Sequence, residues 1–142
     1  MTRLAPKASA FFAETVSLTA LDAAVQAHLE QCYGAAHRHV LALMHIEPAL
    51  AARVVPDLPV VLAQVAYAAR AEMAVRLADV VLRRTPLYLS PMLDRAALSA
   101  CAATLARELR WSTKETGAQM DEAARRLAAF RGPLICDLAP AA

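Results

Sequence analysis

The chain has 142 residues, of which 58% are hydrophobic and 20% charged, and a formal net charge of +2. That length fits one domain that buries roughly two-thirds of its extended surface, so a core needs neither disulfides nor metal. So small a charge offers nothing electrostatic to a nucleic acid, and no uncharged run reaches the ~18–20 apolar residues that cross a bilayer.

In chain order, residues 1–15 show no periodicity and include Pro6, so they read as a linker-like lead-in. The small apolar stretch within them is followed at once by Glu14 and is too short for a signal peptide core. A helix is predicted over 18–33, with Leu18, Leu21, Val25, Leu29 and Cys32 on one face, a weak cap from Thr19 and Asp22, and a stop at Gly34. A second helix, 36–46, turns Val40, Leu43 and Met44 inward, and Pro48 ends it or opens a turn over 49–54. Pro56-Asp57-Leu58-Pro59 makes a rigid corner, since proline fixes its own φ and pushes the preceding residue out of helix.

A third helix is expected to run unbroken over 60–84, on the order of 37 Å at 1.5 Å per residue. Its stripe is Leu62, Val65, Ala69, Met73, Leu77 and Val80, with acid-first pairs Glu72–Arg76 and Asp79–Arg83. Pro86 stops it. Ser90-Pro91 reads as the cap and first turn of a fourth helix that buries Leu98, Cys101, Leu105 and Leu109 and breaks at Trp111. Ser112 with Glu115 is a capping box for a fifth, ending near Arg131 before Gly132-Pro133, with Met120, Ala123, Leu127 and Phe130 as its stripe. Asp121–Arg125 and Glu122–Arg126 are its acid-first pairs, and residues 133–142 read as a frayed tail. The fold class is therefore all-α, five main helices with short Pro/Gly-punctuated connections and one long central helix.

Candidate chemistry is sparse. His28 and Cys32 stand at i,i+4, a metal-ligand spacing, but His37, His39 and His45 complete no set and no carboxylate joins them. Ser17, Ser90 and Ser112 read as caps or near-caps, and Cys32 and Cys101 as stripe residues, so no activated nucleophile stands out. Gly34, Gly117 and Gly132 are isolated, so no phosphate or dinucleotide cradle is encoded. Cys32, Cys101 and Cys136 form no CxxC, which suits a reducing cytoplasm. The high apolar share means either apolar surface that awaits a partner or simply heavy alanine usage.

The most informative stretch is Val65-x-Tyr67-Ala68-x-Arg70-x-Glu72-Met73-Ala74, then Leu77-x-Asp79-Val80 and Leu82-Arg83-Arg84-Thr85. With Tyr33-Gly34, the Pro56-x-Leu58-Pro59 corner and Leu109-x-Trp111-Ser112, it resembles the C-terminal helical domain of FAD-dependent glycerol-3-phosphate dehydrogenases and α-glycerophosphate oxidases, over roughly residues 25–131. Gln64, where the family often has Glu, Arg110, where a Gly commonly precedes the Trp, and Pro86 directly after Thr85 depart from the pattern.

The resemblance implies a parent enzyme that oxidises glycerol 3-phosphate to dihydroxyacetone phosphate and passes electrons from FAD to quinone, or to oxygen in the oxidases. It implies that FAD and substrate groups lie in a preceding domain, and that residues 16–132 cap that domain without catalytic, cofactor-binding or metal residues of their own. Glu72, Arg83, Arg84 and Thr85 are then expected as inter-domain contacts, with Arg83 holding Asp79 while Arg84 and Thr85 present donors outward. A cytoplasmic parent, peripheral at the inner membrane, and a homo-oligomer are both compatible with it. The alternative is a free-standing all-α interaction module.

Overall fold

The computed structural model describes residues 21–132. The lead-in, Ser17, Leu18, Thr19, Cys136 and the tail 133–142 lie outside the described residues. Among those described the fold is all-α, with one isolated antiparallel bridge, Arg53 to Val61, pinning the corner around Pro56 and Pro59.

Helix α1, Ala23–Tyr33, starts at Asp22, whose carboxylate accepts from the Ala24 N–H at 2.9 Å. Gly34 ends it at φ 54, a left-handed value that glycine adopts without strain. A 3₁₀ turn, Gly34–Ala36, leads into α2, His37–Ile46, and a second, Pro48–Ala51, leads to the corner. Val25, Leu29, Val40 and Met44 are buried as expected, whereas Cys32 is exposed at the rim of the stripe.

The expected 60–84 helix is broken in two. Helix α3 is Leu62–Ala71; α4 begins at Leu77–Asp79 and continues as a wide π turn, Val80–Arg84. The cause lies in α6, Thr113–Arg131. Its Gln119 Oε1 accepts the Leu77 N–H at 3.1 Å and its Glu122 pairs with Arg76 at 3.2 Å. These contacts hold Arg76 in extended backbone, so a new helix starts at Leu77 and the Glu72–Arg76 pair does not form. Met73, expected inside, is 87% exposed.

Helix α5, Arg95–Leu109, starts later than Ser90-Pro91 suggests, because Asp94 caps it by accepting from the Ala97 N–H at 2.8 Å. Ser90 instead donates to the Asp57 carboxylate at 2.6 and 2.8 Å, tying the 3₁₀ turn Pro86–Leu89 to the corner. Ser112 caps α6 as read, accepting from the Glu115 N–H. Asp121 pairs with Arg95 of α5, while Glu122–Arg126 forms as expected at 2.8 Å.

Helix α3 divides the core. Its Ala63 and Ala66 pack with α1 and α2, its Val65 and Ala68 with α4, α5 and α6. All four are fully buried, and three of them are alanines, which let neighbouring helices approach closely. Among the described residues Ala74, Ala78, Ala102, Ala123 and Ala124 are buried as well. Yet Ile46, Met73, Val75, Leu89, Met92 and Phe130 leave large apolar area in water, and Phe130 corrects its place on the α6 stripe.

Candidate functional site

The break in the central helix builds a charged and apolar corner. The end of α3 closes on Ala68, whose carbonyl accepts the N–H of Glu72 at 3.2 Å and of Ala74 at 3.0 Å. Fitting Ala74 into the core after that turn forces Met73 to φ 56. A side chain there costs on the order of 1–2 kcal/mol. Met73 and Val75, 87% and 60% exposed, then project on either side of the buried Ala74.

The π turn supplies the other half. The Thr85 N–H and hydroxyl both donate to the Val80 carbonyl, at 3.0 and 2.9 Å, and Pro86 follows with no N–H to continue the ladder. Thr85 is buried and its hydroxyl points into the helix end, not outward as the sequence suggests. Arg83 Nε lies 3.6 Å from Asp79 and is 71% exposed, as an i,i+4 surface pair. Arg84 reaches across the break and donates to the Glu72 carbonyl at 3.4 Å. Glu72 and Arg84 are thus brought together, Arg83 lies beside them in sequence on the surface, and Thr85 shapes the turn that presents both arginines.

Glu72 adds an unsatisfied group, because its Oε2 is buried without a hydrogen-bond partner. Nearby Tyr33 is pushed up to about 12, chiefly by burial, with a smaller part from the Glu72 charge. The corner also adjoins an open apolar groove of about 270 Å³ between α2 and α3, lined by His39, Leu43, Ile46, Tyr67, Arg70 and Ala71. Arg70 at its lip makes two 2.7 Å bonds to Glu108 of α5.

The histidines do not converge. His28 sits against Gln64 and Cys32, with Sγ 3.6 Å from Nδ1, and His37 Nδ1 lies 2.6 Å from the Gly34 carbonyl. Among the described residues no three His, Cys, Asp or Glu side chains gather as a metal site. Burial pushes the Cys101 thiol up to about 12, the opposite of what an activated nucleophile needs. The glycines do not fit a dinucleotide: Gly34 and Gly132 cap helices and Gly117 lies within α6. No described helix is long and apolar enough to cross a membrane.

Sequence reasoning missed Met73 and Val75. No Gly or Pro marks the break between Ala71 and Leu77, so no local signal gives it away.

Residues 5–116 match the family described as the C-terminal domain of alpha-glycerophosphate oxidase. A glycerol-3-phosphate dehydrogenase from Synechocystis sp. is 35% identical over 96 residues, which make up 67% of this chain and 17% of that protein. The chain therefore matches a small fraction of that relative's length. No solved structure matches the chain.

Proposed function

The chain belongs to the family of C-terminal domains of alpha-glycerophosphate oxidase, and from that membership we propose that it is the helical cap of an FAD-dependent glycerol-3-phosphate dehydrogenase. The parent oxidises glycerol 3-phosphate to dihydroxyacetone phosphate and hands electrons from FAD to quinone. Residues 16–132 form the cap, although the family match already begins at residue 5 of the linker-like lead-in. The cap contributes no catalytic residue, and FAD lies in the preceding domain, which fits the lack of any glycine cradle here. A cytoplasmic parent follows from the same reading.

The docking surface on this side is the corner: Glu72, Met73 and Val75 from the break, with Arg83 and Arg84 from the π turn and Thr85 holding that turn. Met73 carries the argument. A large apolar side chain held at positive φ and 87% exposed is strained and wet at once, a combination that favours burial against a partner. The arginines beside it offer donors to carbonyls or carboxylates of the facing domain.

The test uses the parent enzyme. Met73→Asp and Arg84→Ala are expected to lower flavin retention and activity while the helical content of the cap is kept. Unchanged flavin content and activity in both variants defeats the docking assignment. A flavin-yellow, active 142-residue chain defeats the cap reading altogether, and a gene with no in-frame Gly-x-Gly-x-x-Gly segment upstream favours a free-standing interaction module.

A further inference from the structure

At the break between α3 and α4, three groups have exchanged the partners that a straight helix would give them. In one continuous helix over 62–84, the Glu72 carbonyl would accept from the Arg76 N–H, and the Leu77 N–H would reach the Met73 carbonyl. Instead the Glu72 carbonyl accepts from the Arg84 side chain at 3.4 Å, and the Leu77 N–H donates to Gln119 Oε1 of α6 at 3.1 Å. The Arg76 side chain, four residues after Glu72, pairs with Glu122 of α6 at 3.2 Å. The partners of both Arg76 and Leu77 thus come from α6.

The two helix ends at the break lack the residues that ordinarily make such ends. Helix α3 closes with the Ala74 N–H on the Ala68 carbonyl, which puts Met73, at φ 56, where glycine usually sits. Helix α4 has Arg76 at its cap position, and that side chain makes no capping bond. Of residues 71–77 only Val75 is a weak helix former. The bend is therefore opposed by the local chain and held from α6. Leu77 and Ala78 add to that hold, since they are buried in the same core cluster as Ala123, Ala124 and Leu127.

We propose that residues 72–76 are a conformational switch set by α6. With α4 seated on α6, the chain bends and Met73 and Val75 project. With that seat weakened, 72–76 join α3 to α4 in one helix, Glu72 pairs with Arg76, and Met73 turns onto the stripe of Leu62, Val65 and Ala69. A partner that buries Met73 binds the bent form and so tightens the seat of α6 in return. That last consequence rests on the docking role of the corner, whereas the switch is a property of this chain alone.

Hydrogen exchange and carbon-13 chemical shifts test it on the unsubstituted 142-residue chain, on the double variant Gln119→Ala with Glu122→Ala, and on that double variant with Met73→Gly added. The double variant is expected to move the shifts of residues 72–76 toward helical values and to slow exchange at the Val75 and Arg76 amides by about tenfold. Adding Met73→Gly is expected to restore the bent pattern, because glycine accepts positive φ and disfavours helix. If the double variant does not fold, Glu122→Ala alone carries the test. Shifts at 72–76 that match the unsubstituted chain overturn the switch. So do shifts that move toward random-coil values, which make the bend a loose turn without a second form. No flavin is measured, so either result leaves the docking assignment to its own variants.

Discussion

Gln64 and His28 meet nitrogen to nitrogen, with Nε2 of the amide 3.2 Å from Nε2 of the imidazole. The amide's other end decides what this means. Its Oε1 accepts the buried Val61 N–H at 3.1 Å, so Nε2 has only protons to offer, and it also donates to the Tyr33 hydroxyl at 3.3 Å. His28 must then accept through a bare Nε2 and carry its proton on Nδ1, facing Cys32. The network holds α1 to the start of α3 with His28 neutral.

Burial lowers the His28 pKa below its ordinary 6.5. The unfolded chain therefore takes up the proton more readily than the folded one, and stability falls as pH drops through and below about 6.5. The denaturant midpoint is expected to decrease between about pH 7.5 and about pH 5.5, and His28→Gln to flatten that slope. Parallel slopes for the two proteins exclude His28 as the cause.

Arg110 ends α5 at φ 56 and ψ 43, the left-handed region where a side chain is strained. Glycine at this position relieves that strain. Arg110→Gly is expected to stabilise the chain by about 1 kcal/mol or less, read as a rise of a few degrees in melting temperature. A lower melting temperature refutes it.

Met73 has the same strain but a different role. Met73→Gly is expected to stabilise the 142-residue chain by a similar ~1 kcal/mol while weakening flavin retention in the parent enzyme. Opposite signs in the two measurements separate strain kept for docking from strain without use, and gains in both refute the docking role.

Glu108 joins α5 to α3 through Arg70, and the hydrogen bond from Arg70 holds its carboxyl below the ordinary 4.5. A depressed carboxylate contributes stability above its unfolded pKa and loses it as pH falls through the folded one. Arg70 is 46% exposed, so solvent screens the pair and Glu108→Gln is expected to cost about 1 kcal/mol or less at neutral pH. Urea titrations should show that difference shrink as the pH falls below the ordinary 4.5 and vanish once Glu108 is protonated in the folded chain too.

Helices α1, α2, α5 and α6 were legible because their apolar residues recur at three and four and their ends carry Gly34, Trp111, Ser112 and Gly132. The start of α5 was misread because Ser90 is a good cap by type, yet its hydroxyl goes to Asp57, distant in sequence. At the candidate site, Arg83 and Asp79 were legible as a one-turn pair. The Arg84–Glu72 contact and the exposure of Met73 were not, because both follow from a break that no residue between Ala71 and Leu77 announces.

The sequence by itself determined the all-α class and the family, since periodicity, caps and residue order are local properties of the chain. The tertiary structure alone decided that the central helix breaks, which side chains the break exposes, and which way Thr85 points. The physical reason is competition. Residues 72–76 favour a helix locally, and the acceptor on Gln119 and the charge on Glu122, both from α6, work against that preference.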